Sequence, residues 1–149
     1  MIQTKQLVSH YDERGFFREI IRATDDIFKD GFGQWSHSMM ATGTVKAWHI
    51  HRLQTDLFYV PIGMVKVVLC DLSNNFIETH HPETFTEFIL GDQHPAQVIR
   101  IPPGVAHGIK VLQGPSHLFY ITSRVYDPED EGRIPHDALG YDWFKQEIK

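Results

Sequence analysis

Apolar and polar positions along this chain fall into short runs separated by turn residues, a rhythm that predicts strands rather than helices. Leu57-Phe58-Tyr59-Val60-Pro61 leads through Ile62-Gly63 into Val65-Lys66-Val67-Val68-Leu69-Cys70, and Asn74-Asn75 breaks the pattern. β-Branched and aromatic residues dominate these runs, the types that pack well on a pleated surface. Residues 85–90 form another predicted strand, closed by Gly91-Asp92, and residues 97–101 run into the stop Pro102-Pro103-Gly104. A turn at Gly114-Pro115 precedes a last strand, His117 to Ser123. Helical signal is confined to one turn at Asp25 to Lys29 and a short terminal one at Tyr141 to Lys145. Many short strands at this spacing predict a closed all-β sandwich or barrel. Without repeat, linker or low-complexity stretch, residues 1–149 read as a single domain.

Composition narrows the class of partner. Of 149 residues, 42% are hydrophobic and 22% charged, which is globular rather than disordered. The net charge is −5 and the Lys and Arg residues are scattered. Phosphate backbones need clustered cations, so nucleic acid is not the expected partner. A nucleotide-linked small molecule needs only one or two well-placed cations and stays compatible. The one cysteine, Cys70, lies in an apolar run and reads as buried packing in a reducing compartment. No apolar stretch approaches the roughly 20 residues of a membrane span, and the N-terminus lacks a signal peptide's hydrophobic centre. The expectation is a cytoplasmic protein with no membrane partner.

Ten histidines stand out, and two segments carry their chemistry. The first runs from Gly43 through His49-Ile50-His51 and Asp56 to Gly63; the second is Pro102-Pro103-Gly104-Val105-Ala106-His107. On a strand, residues two apart face the same way, so His49 and His51 project together. Such pairs either pack and hydrogen-bond without metal or face a pocket.

The first segment has a glycine, five residues, His-x-His, four residues, an acid, six residues and a glycine, and it resembles the first cupin motif. Pro102-x-Gly104-x-x-His107 resembles the core of the second. The resemblance implies a cupin-type double-stranded β-helix, or jelly roll, with His49, His51, Asp56 and His107 near its mouth. Three imidazoles and one carboxylate suit a divalent metal such as iron, manganese, nickel or zinc.

A longer resemblance covers Asp12 to Trp143. Asp12-Glu13-Arg14-Gly15-Phe16-Phe17-Arg18-Glu19, Gln34, the segment ending in His49, Pro103-Gly104-Val105-Ala106-His107-Gly108 and Leu118-Phe119-Tyr120 occur in family order. Tyr126-Asp127-Pro128-Glu129-Asp130-Glu131-Gly132 and Gly140-Tyr141-Asp142-Trp143 follow. Together they are similar to the dTDP-4-dehydrorhamnose 3,5-epimerase family, a branch of the cupins. The resemblance implies a nucleotide-linked 4-keto-6-deoxyhexose as substrate, inverted through an enolate, no required cofactor, and a homodimer. By position, His49 matches the family's base and Tyr120 its acid. His107 matches a histidine lining the substrate site, Arg14, Phe17, Glu19, Gln34 and Glu131 match substrate-contacting positions, and Lys46 stands where the family has an arginine.

Three departures open alternatives. Asp56 replaces the lysine that stabilises the family's enolate, and His51 replaces a glutamine. The aspartate that orients the family's base has no counterpart before Lys149. The first two changes rebuild a possible metal site of His49, His51, Asp56 and His107. A metal-dependent cupin such as a sugar ketoisomerase or dioxygenase, and a non-catalytic sugar-binding cupin, therefore stand beside the epimerase reading.

Overall fold

The computed structural model describes residues 2–73 and 84–147; Asn74-Asn75, the predicted break, lies outside them. Ten strands follow in order: β1 (Thr4–Gln6), β2 (Ser9–Asp12), β3 (Gly15–Arg18), β4 (Gln34–Met40), β5 (Val45–His51), β6 (Asp56–Asp71), β7 (Thr86–Gly91), β8 (Gln97–Ile101), β9 (Val105–Thr122) and β10 (Glu131–Arg133). A 3-10 turn at Asp26–Phe28 falls where one helical turn was predicted. Tyr141 to Lys145 forms only a turn, so the predicted terminal helix is not there. That segment packs its aromatic rings on the sheet instead, and tertiary burial overrides its weak helical preference.

All strand pairs are antiparallel. The long strands β6 and β9 pair with each other along nearly their whole length, from Asp56↔Thr122 to Asp71↔Val105. At one end they are flanked by β8 and β4, at the other by β7 and β5, with β10 beyond β5. Two sheets therefore share the same pair of strands, and each strand bends from one sheet into the other. This is the jelly-roll solution, in which one sheet folds over to cover its own apolar face.

The bend also changes which residues face inward. Along β6, Phe58 and Val60 point into the core, then Val65, Val67 and Leu69 do so, a change from even to odd positions. The strand pairing is irregular between Tyr59 and Val65, where Gly63 adopts a φ of +87°. A Cβ there would meet Ser116 Oγ at 2.2 Å, so both conformation and space call for glycine. Opposite it, β9 changes from odd positions (Val105, Ile109, Val111) to even (Leu118) across Gly114-Pro115. The two strands predicted on either side of Gly114-Pro115 are thus one strand with an irregular middle.

Two outer clusters close the remaining apolar faces. Trp48, Val68, Cys70 and Ala106 are covered by Leu139, Tyr141 and Trp143 of the C-terminal segment. Gly108 admits this cover, since a Cβ there would lie 2.7 Å from the Trp143 ring. Leu57, Tyr59 and Val98 are covered by Ile27 with Leu7, Ile20 and Ile21 from the N-terminal region. Each such large apolar side chain contributes roughly 1.5–3 kcal/mol when fully buried.

Candidate active site

A cavity of about 220 Å³ opens between the two sheets. Its polar wall carries His49, His51, Asp56, His107, Glu131 and Tyr120, and its apolar wall Met40, Phe58, Ile109 and Leu118. His107 and Tyr120 both stand on β9, thirteen positions apart. On a regular strand an odd spacing would put them on opposite faces. The change of parity across Gly114-Pro115 turns both toward the cavity.

His49 is held from behind. Its Nδ1 lies 3.0 Å from Glu131 Oε1, a carboxylate that β10 brings alongside β5. With Nδ1–H donating to Glu131, Nε2 carries the lone pair, the form a proton-abstracting imidazole needs. Tyr126 Oη donates to the other Glu131 oxygen at 3.4 Å, and Arg133 stands at the same distance from it. Burial opposes ionisation of Glu131, but the His49 ring and Arg133 outweigh it and hold the carboxyl below its ordinary 4.5. Glu131, read from the sequence as a substrate contact, is thus placed against His49. Its signal in the sequence was only its place within a matching segment.

His51, Asp56 and His107 form a second group, whose ligand atoms all lie within 4.8 Å of one another. Asp56 Oδ1 accepts a hydrogen bond from Gln54 Nε2 at 2.7 Å. Burial pushes the Asp56 carboxyl up from 3.8, against the Gln54 bond, which pulls it down. His107 Nδ1 donates to the carbonyl of Val105 at 3.2 Å, and its Nε2 stands 3.6 Å from Asp56 Oδ2. Burial takes His107 down to about 4, so its ring is neutral near pH 7. His51 is likewise lowered, first by burial. The rings of His49 and His51 lie 24° and 23° from the plane of His107, giving three nearly parallel imidazoles. The four-residue set expected from the spacing is narrowed to three, with His49 outside it.

Asp130, to which the sequence assigned no role, shapes the loop behind this group. Its carboxylate accepts the backbone N–H groups of Arg52, Leu53 and Gln54 at 3.0–3.1 Å. That fixes the chain between His51 and Asp56. Gln54 was also missed, and its local signal, a polar residue two before an acid, is too common to be read alone.

The remaining expected contacts divide in two. Gln34 and Lys46 line the cavity: Gln34 Oε1 accepts the Tyr126 N–H at 3.0 Å, and Lys46 Nζ donates to Ser38 Oγ at 3.5 Å. Among the described residues, Lys46 is the only Lys or Arg of the lining. The Tyr120 ring lies 5.8 Å from that of Phe58, tilted by 58°, in the same cavity. Arg14, Phe17 and Glu19 stand away from this cavity. Arg14 pairs with Asp12 at 2.5 Å in the β2–β3 hairpin, Glu19 pairs with Arg22 at 2.8 Å, and Phe17 is 64% exposed. Cys70 lies in the outer cluster, its thiol pushed up to about 11 by burial, which makes it packing rather than a nucleophile.

Comparison with known proteins places the fold in a family. The profile of the family described as dTDP-4-dehydrorhamnose 3,5-epimerase matches residues 2–149. The spore coat polysaccharide biosynthesis protein SpsL of Bacillus subtilis is 37% identical, covering 95% of this chain and 94% of that protein. The probable low-salt glycan biosynthesis epimerase Agl13 of Haloferax volcanii is 34% identical over 95% and 92% of the two chains. Among solved structures, the dTDP sugar isomerase of Desulfovibrio desulfuricans superposes with a TM-score of 0.84 at 26% identity, covering 98% and 92%. The 3,5-epimerase of Legionella pneumophila, solved with dTDP-4-keto-L-rhamnose, gives 0.79 at 27% over 98% and 80%. An oriented histidine and a tyrosine inside a jelly roll, with a match over nearly every residue, carry one conclusion: this chain belongs to the dTDP-4-dehydrorhamnose 3,5-epimerase family.

Proposed function

We propose that this protein inverts carbon centres of a dTDP-linked 4-keto-6-deoxyhexose. The observation that carries this reading is the His49–Glu131 pair in one cavity with Tyr120. A ketone at C4 acidifies the hydrogens at C3 and C5. His49 Nε2 takes one of them, the electron pair moves onto the ketone oxygen, and Glu131 stabilises the imidazolium that forms. Tyr120 returns a proton to the opposite face and the carbonyl re-forms with that centre inverted. Tyr120 then regains its proton as His49 gives one up, through water. The step is an isomerisation: nothing is oxidised, and no cofactor is required. Lys46 supplies positive charge in the lining, and Gln34 and His107 complete the sugar site. A binding-only role needs no oriented base, and this arrangement favours catalysis over it.

The rest of the reading concerns assembly. Residues 1–149 act as one cytoplasmic domain with a single buried thiol. Two copies pair through the outer face of β4 and β9. Trp35 and Met39 on β4 are each 67% exposed, beside Phe119 and Ile121 of β9. Exposed apolar side chains grouped in this way mark an association surface. Arg14, Phe17 and Glu19 contact the substrate in the pair, supplied by the second copy.

The test is proton exchange. The purified protein is incubated with dTDP-4-keto-6-deoxyglucose in deuterated water, and deuterium at C3 and C5 is read by NMR. Incorporation at either carbon is expected. Its complete absence at both would overturn the assignment.

A further inference from the structure

We infer that protons control the pairing of two copies through His37 and His117, which close the face as a neutral pair and open it as two cations. The inference rests on the pairing proposed above and adds its regulation. Both histidines stand outside the cavity, on the outer face of β4 and β9. His37 lies between Trp35 and Met39 on the exposed side of β4, and His117 is half-buried on the side of β9 that carries Phe119 and Ile121. These six outward positions hold no Lys, Arg, Asp or Glu. An apolar groove of about 270 Å³, lined by Phe32, Trp35, Phe119 and Ile121 among others, continues the face. A surface that is apolar and uncharged at its centre has nothing to offer a partner recognised by charge. It suits a second copy of itself across a twofold axis.

The geometry of the pair supplies the switch. His37 Nε2 and His117 Nδ1 stand 2.7 Å apart, so one of the two nitrogens carries a hydrogen and the other accepts it. The ring centres are 5.0 Å apart, and His37 is held edge-on against Phe119 at 4.6 Å. Phe119 in turn meets the Trp35 ring at 5.8 Å. While neutral, the two imidazoles satisfy each other and can be covered like the aromatic rings beside them. Histidine is the side chain whose charge changes between about pH 5 and 8. A first added proton puts a cation into a face that holds no counter-ion. A second puts a hydrogen on both facing nitrogens, so the bond between them is lost and two like charges oppose each other. Water accommodates both changes on a free copy, whereas a closed apolar interface does not.

Neighbouring charges do not relieve this. On β6, beside β9, the outward residues are Leu57, Tyr59 and Ile62, and the Tyr59 hydroxyl accepts from Arg18 of β3. At the bend near Ile62, the Asp92 carboxylate takes the Gly63 N–H and His94 lies on the Met64 sulfur. Further across the sheet, Arg100 pairs with Asp30 and Lys5 with Asp25. Among the described residues, no carboxylate forms an ion pair with either His37 or His117. Charge gained by the pair is therefore left uncompensated inside the contact.

The experiment measures the dimer dissociation constant of tag-free full-length protein by sedimentation velocity, with circular dichroism establishing that the fold is kept. For the wild type it should rise at least about tenfold between about pH 7.5 and pH 5.5 and return on neutralisation. The double variant His37→Gln with His117→Gln keeps polar side chains without the titration, and its constant should change less than about twofold over the same range. Dilution calorimetry of the wild type near pH 6, in buffers of different ionisation enthalpy, needs no variant and should show protons taken up on dissociation. A wild-type dimer equally tight at both pH values, zero proton uptake, or a double variant as pH-sensitive as the wild type would each overturn the switch and leave the pairing standing. A wild type that is monomeric at both pH values would overturn the pairing and the switch together.

Discussion

The Nδ1 atom of His49 lies 3.0 Å from a carboxylate oxygen of Glu131, a residue 82 positions further along the chain. The contact exists because the three-residue strand β10 pairs with β5 in a register that sets Arg133 opposite His49 and Glu131 opposite His51. Glu131→Gln keeps the shape and removes the charge that stabilises the imidazolium. Deuterium exchange should fall about 10- to 100-fold, less than the roughly 10²–10⁴-fold that a positioned base contributes and that His49→Asn should lose. Equal exchange rates in Glu131→Gln and wild type would reject the pair.

The same carboxyl gives a pH signature. It is held below its ordinary 4.5 in the folded protein, so its stabilisation is complete above that value and is lost as pH falls through the folded one. Urea unfolding should show Glu131→Gln less stable than wild type at about pH 7, with the gap closing as pH falls below the ordinary carboxyl value. A gap that widened on acidification would contradict the assignment.

Tyr120→Phe separates abstraction from inversion. With His49 intact, a proton is still removed and can return from the same side. Exchange at C3 or C5 should continue while the inverted product drops by at least about tenfold. Loss of exchange and inversion in equal measure would show that Tyr120 does something else.

Lys66 is fully buried on the outer face of β6, where it pairs with Glu147 and lies 5.1 Å from the Tyr141 ring centre. Removing one member of such a pair leaves the other charge unpaired, at a cost of about 3 kcal/mol. Glu147→Gln should lower stability by that order in a denaturant melt. A double change to Lys66→Met and Glu147→Leu should recover most of it. Equal stability of the single variant and wild type would show that the pair adds nothing.

Trp35→Glu tests the assembly. A carboxylate placed at the centre of the exposed β4 face should leave the fold intact and shift the protein to monomer in sedimentation velocity. A wild type that is monomeric at micromolar concentration would remove the proposed interface.

Strand alternation and spacing made much of this site readable. His49 and His51 share a face because they are two apart, and Asp56 and His107 follow at intervals that place them beside the pair. β8 came through with its ends intact, since a proline stop bounds it at Pro102. Other features depend on pairing between distant segments, which local pattern does not encode. Gly114-Pro115 carries every mark of a turn, yet it sits inside β9, because β6 bends opposite it at Gly63 and both strands continue. Glu131 and Asp130 look alike in sequence; only the docking of β10 decides that one orients His49 while the other caps the loop after His51. Tyr141 and Trp143 read as a helix end until the sheet supplies a surface for their rings.

The pairing of β6 with β9 has a consequence in time. Asp56 must find Thr122, and β4 must find the same end of that strand, so the central ladder is built almost wholly from encounters between remote parts of the chain. Loop closure has to be met before any of those bonds forms, and chains of this kind fold on the order of milliseconds to seconds rather than microseconds. His107 and Tyr120 lie at opposite ends of β9, so the cavity that both line comes into being only when that slow ladder has zipped from end to end.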